Sequence, residues 1–363
     1  MARRRLAVTI KHVAADAGVS LQTVSRVINN EPNVRPEMRE RVQASIDRLG
    51  YVPSIAAQRM SGSKSYLILA LNDRERTIAD WRARQGTDWV DQMLLGGMLE
   101  CAEYGYRLIF ELVDTHEDHL ERELGAALAA LQPDGAILTP PHSDNQEILR
   151  ILTRHHVPYA RIGALGDEDG GSPAGVRVSM DDEGGARLAT RHLIDLGHRR
   201  IGFISGPAEY RLAGWRVDGW RAEMAAAGLD GDAWLEAGDF SYASGARAAR
   251  ALLARAAPPS AIIASNDQMA LATIEAARAA GLDVPRDLSV VSFDNTPLVR
   301  FTTPPLTAVD QPIAETTATA VRLLIEAQRE GATPPPAALL PMTLSPPPTS
   351  SIRTGSRMVR KGV

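Results

Sequence analysis

The stretch that decides the fold covers residues 8–51 and reads VTIKHVAADAGVSLQTVSRVINNEPNVRPEMRERVQASIDRLGY. Its caps and apolar spacing predict three short helices with a tight turn between the first two. Thr9 is a suitable N-cap for a first helix that ends near Ala17, because its hydroxyl can accept a backbone hydrogen bond. Gly18 ends this helix, since glycine adopts the left-handed conformation found at helix C-termini. The pattern is typical of a helix-turn-helix.

The second and third predicted helices complete a small apolar core. Ser20 is the expected N-cap of a helix over 21–29, and Pro36 suits the first position of a helix that continues over 37–49. This core is too small to hold a ligand. Its expected members are Val24, Val27 and Ile28 from the second helix and Met38, Val42, Ile46 and Leu49 from the third.

The outward face of the second helix carries polar side chains that suit double-stranded DNA. Glutamine presents a donor and an acceptor to a base edge, arginine presents a fork of donors to guanine, and short hydroxyls reach phosphates. The alternative is the solvated face of an ordinary three-helix bundle, because this geometry also occurs in proteins that bind no DNA. The polar residues of the face are Gln22, Thr23, Ser25, Arg26 and Asn29.

Seven segments along the chain read, in this order, AGVSLQTVSRVINN, GYVPSIAAQRM, LGHRRIGFISG, RLAGW, SNDQMALA, DLSVVSFDN and PPLTAVDQP. Their residues, order and spacing resemble the LacI/GalR family of bacterial transcriptional regulators. The resemblance covers roughly residues 8–345. It is specific because the whole series agrees, whereas any one short segment would be a weak signal.

The resemblance implies a fold of two parts. We expect an N-terminal all-α helix-turn-helix (lambda-repressor-like) headpiece over residues 8–51, followed by a hinge helix and linker over 52–64. The rest, 65–348, is expected to be an α/β periplasmic-binding-protein-like type I domain, made of two doubly wound subdomains, that binds the effector and dimerises. The expected bounds are 66–164 with 313–338 for the first subdomain, 165–310 with 339–348 for the second, and 349–363 for a tail.

The hydropathy pattern beyond residue 64 agrees with that fold. Short apolar runs alternate with longer helical patterns, which is the signature of a parallel sheet wrapped by helices. The predicted strands are 66–71, 107–113, 135–138, 159–162, 176–178, 200–204, 261–264, 289–293 and, last, 339–344.

The resemblance also assigns DNA contacts to the headpiece. Leu21, Gln22 and Arg26 match the family's base readers, and Leu21 favours apolar contact with a thymine methyl over a hydrogen bond. Phosphate contacts are expected from four short polar side chains, and one tyrosine completes the set. These further residues are Thr9, Thr23, Ser25, Asn29 and Tyr51.

The segment after Pro53 predicts a short hinge helix that ends at the Ser-Gly-Ser of residues 61–63. Isolated helices shorter than about 12 residues rarely persist in water, so this one is expected to fold against its dimer mate on DNA. By resemblance, Ala57, Gln58 and Met60 belong to this DNA-binding segment, with Met60 as the minor-groove wedge where leucine is usual. A plain flexible linker is the alternative.

A small ligand is expected in the crevice between the subdomains, at the carboxyl ends of strands. Arg211, Asn266 and Asp294 offer donors, an amide and a carboxylate there, which suit a polyhydroxylated sugar. By resemblance, Phe240 is the aromatic that covers an apolar sugar face, and Gln311 is another crevice residue. Taken singly, each has an ordinary alternative, such as a helix N-cap for Asn266, a turn for Asp294 and the core for Phe240.

Three departures from lac-type relatives argue against a simple galactoside effector. Gly163 stands where those relatives carry an acidic residue, and Asn72 and Asp73 replace small or hydroxylated residues. Purine-responsive relatives use the same arginine and aspartate positions, so a purine effector stays open.

Charge is placed unevenly along the chain. Residues 1–64 carry a net charge of +6 and the rest carry −10, which predicts that only the N-terminal part approaches phosphate. The single cysteine, Cys101, excludes an intrachain disulfide, and no apolar run reaches the 18 residues of a membrane span. Polar residues follow Arg3, Arg4 and Arg5 before any apolar run forms, so no signal peptide is expected and the cytoplasm is the expected location.

Other chemistry finds little support in the sequence. His116 and His119 lie among acidic residues and superficially resemble a metal cluster, but the exposed first turn of an acidic helix explains them better. There is no G-x-S-x-G, H-E-x-x-H or C-x-x-C motif. We therefore expect no enzyme, no cofactor and no metal.

The predicted function is a ligand-responsive DNA-binding transcriptional regulator, most simply a repressor of carbohydrate catabolic genes that an inducer releases. Its expected partners are a palindromic double-stranded DNA operator, a sugar effector and a second copy of the chain, without a membrane. The alternatives are a purine-responsive corepressor-type regulator and a sugar-binding protein of the same fold without a transcriptional role. Fold alone does not decide, but the second alternative has no use for a DNA-binding headpiece.

Overall fold

A computed structural model describes residues 8–28, 33–51, 64–83, 88–115, 119–164, 175–329 and 337–345. The chain divides into two compact units, Met1–Tyr66 and Leu67–Val363. Each unit has its own core and is described by itself.

Three helices form the first unit, which we call the headpiece. They are α1 (Ile10–Ala17), α2 (Leu21–Ile28) and α3 (Pro36–Leu49). Gly18 and Gly50 end α1 and α3 in the left-handed conformation, with φ of 63° and 60°. The short turn between α1 and α2 follows directly from the first of these glycines.

The headpiece core differs from the prediction at one position. Val13, Val24 and Val42 are completely buried and pack together. Met38 is only half-buried and lies outside this cluster, because the inward face of α3 begins one turn later, at Val42. Ser45 of α3 is also completely buried, and its hydroxyl donates a hydrogen bond to the carbonyl oxygen of Val13 at 3.3 Å.

Twelve strands are described in the second unit. They are β1 (Leu67–Asp73), β2 (Arg107–Val113), β3 (Gly135–Leu138), β4 (Tyr159–Ile162), β5 (Val176–Met180), β6 (Ile201–Ser205), β7 (Leu235–Ala237), β8 (Ala261–Ala264), β9 (Ser289–Asp294), β10 (Thr307–Asp310), β11 (Ala338–Leu340) and β12 (Thr343–Ser345).

These strands form two six-stranded sheets. The first has the order β11-β5-β4-β3-β1-β2 and the second the order β12-β10-β9-β8-β6-β7. The described pairings are parallel apart from that of β10 with β12. The central strands are buried on both faces, which explains why they read as continuous apolar runs. We name the first and second subdomains after these two sheets.

Helices cover both sheets. They are α4 (Arg74–Ala83), α5 (Asp88–Glu103), α6 (Leu120–Leu131), α7 (Gln146–Arg154), α8 (Asp182–Asp195), α9 (Arg211–Ala226), α10 (Tyr242–Leu253), α11 (Asp267–Ala279) and α12 (Ile313–Glu326), with single 3-10 turns at His142–Asp144, Asp232–Trp234 and Pro297–Phe301.

Two predicted boundaries are wrong. The expected break at residue 165 puts β5 in the second subdomain, whereas β5 pairs with β4 and β11 in the first sheet. The expected last strand, 339–344, is two strands in different sheets, β11 and β12. Pro341 lies between them, and proline cannot donate a ladder hydrogen bond. The chain therefore crosses between the sheets at this proline.

Glycines allow two helix pairs to approach closely. A Cβ atom built on Gly96 of α5 would lie 1.9 Å from the carbonyl oxygen of Ala314 in α12. One built on Gly219 of α9 would lie 2.2 Å from the carbonyl oxygen of Glu183 in α8. A side chain at either glycine would push its helix pair apart.

The core of the second subdomain contains its largest aromatic side chains. Trp220 and Phe203 are completely buried, and their ring centroids lie 5.5 Å apart. Phe293, at the end of β9, belongs to the same cluster. This rigid core supports the strand ends at which the candidate crevice lies.

Within the described ranges, no helix is both long and apolar enough to cross a membrane.

Candidate functional site

The outward face of α2 presents three of the predicted base readers. Leu21 is 44% exposed although it is apolar, and Gln22 and Arg26 are also exposed. Ser20 caps the helix, since its hydroxyl accepts from the backbone N–H of Thr23 at 3.1 Å. The hydroxyls of Ser20 and Thr23 lie 2.9 Å apart, so the cap also orients Thr23.

Polar contacts between α1 and α3 hold the headpiece helices in place. Asp16 accepts hydrogen bonds from the Ser45 hydroxyl and the Arg48 guanidinium, and these bonds lower the pKa of its carboxyl below the ordinary value. Arg41 donates to the carbonyl oxygen of Ala17 at 2.7 Å, which satisfies the end of α1. These bonds fix α1 and α3 relative to each other, and α2 packs its apolar face against them.

The other predicted DNA contacts fall in different places. Thr9 is exposed, and its backbone N–H donates to Nδ1 of His12 at 3.1 Å. Ser25 is half-buried on α2. Tyr51 is only 7% exposed and packs in the headpiece core, where burial raises the pKa of its hydroxyl. The predicted contacts Asn29, Ala57, Gln58 and Met60 lie outside the described residues.

The second unit contains a crevice between its two subdomains, bounded by the ends of β1 and β9. The space in it that no protein atom fills is about 1050 Å³, open solvent at the mouth included. Four predicted effector residues line it, and one, Arg211, does not. Its polar and aromatic lining residues include Asn72, Asp73, Arg76, Asp80, Asp88, Trp89, Tyr210, Arg216, Phe240, Asn266, Asp267, Asp294 and Gln311.

Asn266 has two roles at once. Its Oδ1 accepts from the backbone N–H of Met269 at 2.9 Å and so caps α11, as the ordinary interpretation predicted. Its Nδ2 donates to the carbonyl oxygen of Phe240 at 2.8 Å, which fixes the loop that carries that ring. Asn266 can therefore cap α11 and line the crevice at the same time.

Backbone strain is concentrated at this crevice. Phe240, Asp294 and Asn295 have φ of 67°, 94° and 58°, in the left-handed region that side chains other than glycine rarely adopt. The Phe240 ring lies so close to Gly206 that a Cβ atom there would be 2.2 Å from it. Such strain persists only where surrounding contacts enforce it, and it clusters at functional sites.

The buried carboxyl group of Asp267 and the half-buried one of Asp294 both lie in the crevice wall. Asp267 accepts from the Ser292 hydroxyl at 2.6 Å and from the backbone N–H of Thr296 at 2.8 Å. Burial, together with the charge of Asp294, raises the pKa of Asp267. Burial also raises the pKa of Asp294, which accepts from the amide of Gln311. Protons therefore bind this pair at higher pH than they bind ordinary aspartates.

Arg216 is the crevice residue that the sequence interpretation missed. It is completely buried apart from 2% of its surface, donates to Asp182 at 2.7 Å and to the carbonyl oxygen of Ser265 at 2.6 Å. Its guanidinium also lies 4.5 Å from the ring centroid of Phe293. Its position next to Trp215, in a helix that packs against the core, could have indicated a buried arginine. A buried arginine requires a charged or polar partner.

Arg76 of α4 reaches across the crevice. It donates to the carbonyl oxygen of Asp239 at 2.9 Å, on the second subdomain. Its guanidinium lies 5.0 Å from the ring centroid of Phe240 and 5.6 Å from that of Tyr210. The two rings pack edge to face, 5.4 Å apart. The aromatic position that the resemblance assigns to a ligand is thus covered by an arginine of the protein itself.

Arg211, the predicted donor fork, points elsewhere in this structure. Its Nε lies 3.3 Å from Oδ2 of Asp144, in the 3-10 turn of the first subdomain. Asp144 also pairs with the largely buried Arg161 of β4. The first residue of α9 is therefore tied to the opposite side of the crevice.

The described ranges contain no group of three or more histidine, cysteine or acidic residues arranged to hold a metal. His119 immediately precedes α6, whereas His116 lies outside the described residues.

Two family models match the chain. The model of bacterial regulatory proteins of the lacI family matches residues 9–54, and the periplasmic binding protein-like domain matches residues 190–347. Fold and sites thus define a DNA-binding headpiece followed by a periplasmic-binding-protein-like domain, which confirms the predicted fold class.

The chain resembles curated regulators over most of its length. It is 35% identical over 334 residues to the HTH-type transcriptional regulator CelR of Thermobifida fusca, which covers 89% of this chain and 92% of that protein. It is 33% identical over 321 residues to the ribose operon repressor of Escherichia coli K12, with 87% and 92% covered. The chain belongs to the LacI family of bacterial transcriptional regulators.

Solved structures agree with this assignment. A complex of the transcriptional regulator CelR with cellobiose has a TM-score of 0.69 and 32% identity, and covers 93% of this chain and 98% of that one. A lac repressor dimer bound to operator and the anti-inducer ONPF has a TM-score of 0.75 and 28% identity, with 95% and 100% covered. These comparisons confirm the prediction of a ligand-responsive transcriptional regulator.

Proposed function

We propose that this protein represses genes for carbohydrate use and leaves its operator when a sugar fills the crevice. The observation that carries the proposal is the combination of acceptors and aromatic faces in one cleft. Asp294 and Gln311 present oxygens that accept from vicinal hydroxyls. Trp89 offers a ring that suits the apolar face of a sugar, and the Phe240 ring would offer a second once the Arg76 guanidinium that covers it moves.

A solved structure of a related regulator suggests which sugar to test first. The CelR structure, at 32% identity, is described as a complex with cellobiose. Cellobiose is therefore the first compound to test.

The headpiece supports operator binding. Residues 1–64 carry a net charge of +6, which favours approach to phosphates. Leu21, Gln22 and Arg26 project from one exposed helix face, as base readers must. The related lac repressor structure is a dimer on its operator. We propose that two copies of this chain likewise read an inverted repeat in the cytoplasm, because two-fold protein symmetry requires two-fold DNA symmetry.

The mechanism follows from contacts that cross the crevice. Arg76 and Arg211 each join the two subdomains, so a ligand that enters must rearrange or exploit these contacts. A change in subdomain orientation alters the population of protein able to bind DNA. We propose release as the outcome, and a regulatory role without catalysis.

One experiment separates the candidate functions. Purified chain is incubated with cellobiose, ribose or hypoxanthine, and both its melting temperature and its affinity for a palindrome chosen by binding selection are measured. A sugar that raises the melting temperature and weakens operator binding supports the proposal. A purine that strengthens operator binding supports the corepressor alternative. Unchanged operator affinity with every compound would contradict both.

A further inference from the structure

The two arginines that line the crevice are directed at groups of the protein. Arg216 donates to Asp182, which does not line the crevice. The positive charge of Arg216 is therefore balanced by a carboxylate outside the crevice. Arg76 donates to the carbonyl oxygen of Asp239, and its Nε lies 3.7 Å from the Asp80 carboxylate. Neither guanidinium is arranged primarily to receive an anion from the crevice.

The NH₂ groups of the crevice amides also donate to groups of the protein. Nδ2 of Asn266 donates to the carbonyl oxygen of Phe240 at 2.8 Å, and Nε2 of Gln311 donates to Asp294. The second bond fixes the orientation of the Gln311 amide, because a carboxylate accepts only from the NH₂ side. Gln311 is 7% exposed, and its Oε1 has no hydrogen-bond partner among the described residues. The amide atom that has no partner among the described residues, Oε1 of Gln311, is therefore an acceptor.

Carboxyl groups outnumber arginines around the crevice. Burial raises the pKa of Asp80, and the neighbouring charge of Asp73 contributes to the rise. Burial raises the pKa of Asp88 as well. These shifts agree with a site in which negative charge is incompletely balanced. The carboxyl-bearing lining residues are Asp73, Asp80, Asp88, Asp267 and Asp294.

We infer that the crevice selects a donor-rich effector without negative charge, and that it rejects phosphorylated and carboxylated forms of the same sugar. This inference rests on the proposed function and adds the charge class of the ligand. A phosphate or carboxylate would enter a site already lined by the carboxylates of Asp73, Asp80 and Asp88, where Coulomb repulsion opposes binding and weakens as salt rises. Hydroxyl or ammonium groups would instead donate to the acceptors that the protein leaves available.

The test compares neutral or amino sugars with anionic derivatives that keep the same sugar rings. Purified full-length chain is titrated calorimetrically, at one ionic strength, with cellobiose against cellobiose 6′-phosphate, and with glucose and glucosamine against glucuronate and glucose 6-phosphate. The uncharged or amino member of each set is expected to bind at least about tenfold more tightly than its anionic counterparts. An anionic member that binds equally well overturns the inference and leaves the proposed function standing. If only ribose binds, it is compared with ribose 5-phosphate by the same criterion. If no member of either set binds and ribose does not bind, the proposed function falls, and this inference falls with it.

Matched variants locate the source of the discrimination. Asp73→Asn and Asp88→Asn remove one charge each and are expected to reduce the preference at least about threefold. Asparagine at position 73 keeps the hydrogen bond that its side chain accepts from the backbone N–H of Arg76 at 2.9 Å. Glu75→Gln, on the exposed face of α4, is the control and should leave the preference unchanged. If a variant fails to fold, the wild-type preference should still shrink as salt rises from 50 to 500 mM; a salt-independent preference would overturn the electrostatic origin.

Discussion

Arg211 and Asp144 form an ion pair across the crevice, with Nε of the arginine 3.3 Å from Oδ2 of the aspartate. The pair joins the first residue of α9 in the second subdomain to the 3-10 turn of the first. Arg161 holds the same carboxylate from within the first subdomain. The family resemblance predicts that Arg211 binds the effector; on that prediction, Asp144 and the effector would compete for one guanidinium.

This competition predicts opposite effects of two substitutions. Asp144→Asn should strengthen effector binding about two- to fivefold, because a partly exposed ion pair contributes about 0.2–1 kcal/mol that the effector no longer has to overcome. Arg211→Ala should abolish the effector response while operator affinity is retained. Calorimetric titration and operator binding measure the two effects. The control is Glu147→Gln, which alters an exposed pair on the adjacent α7. Weaker effector binding in the Asp144 variant would show that this pair supports the binding conformation instead.

Gln22 is predicted to read one base position in each half-site. Gln22→Ala should cost about 1–3 kcal/mol at that position and relax its sequence preference, while binding to random DNA changes little. Gln43→Ala makes the same substitution on α3, where the side chain bonds to Asp47, and should leave the preference intact. Binding selection on randomised palindromes measures both. The same preferred sequence for wild type and the Gln22 variant would remove Gln22 from base reading.

Two helix glycines should respond oppositely to alanine. Gly96→Ala is expected to destabilise the protein by about 1–3 kcal/mol, because its Cβ would collide with the backbone of Ala314. Gly214→Ala should stabilise it by about 0.5–1 kcal/mol, since no atom lies within 4 Å and alanine restricts the unfolded chain. Thermal unfolding under identical conditions gives the comparison. Equal melting temperatures for the two variants would refute the close helix crossing.

The Asp267 carboxyl should make stability depend on pH. Burial and nearby Asp294 raise its folded-state pKa above the unfolded value of about 4. Its favourable contribution is therefore present below about pH 4 and is lost as the pH rises through the folded-state pKa. Asp267→Asn stays neutral throughout, so the melting temperature of the variant minus that of wild type should increase from pH 5 to pH 8. A constant difference would mean that the carboxyl is already ionised across this range.

The strand pattern was predictable where burial alone shaped the sequence. Continuous apolar runs marked β2, β3, β4 and β8 with the bounds that the structure shows. The short strands β7 and β10 were not predicted, because β7 has only three residues at the sheet edge and β10 begins and ends with the polar residues Thr307 and Asp310. Sheet membership was harder still, since β5 and the Pro341 crossing depend on partners far away in the chain.

The crevice shows the same division between local and distant information. Asn266 and Asp294 could be placed at strand ends, because the carboxyl edge of a parallel sheet follows from strand order, whereas Gln311 was predicted from the family resemblance alone. The sequence analysis named Arg211 and did not consider Arg216, which lines the crevice in this structure. Both arginines belong to α9, and only the positions of Asp144 and Asp182 decide which of them faces the crevice.

The sequence by itself determined the three headpiece helices, the alternation of strands and helices beyond them, and the family. Caps, helical periodicity and apolar runs act over a few residues, so they can be read directly from the chain. Only the tertiary structure decided that β5 belongs to the first sheet, that Arg76 covers Phe240, and that the crevice amide groups are engaged through their NH₂ sides while Oε1 of Gln311 has no hydrogen-bond partner among the described residues. These features arise from contacts between residues tens to hundreds of positions apart, and the directions of such side chains are settled by packing rather than by local pattern.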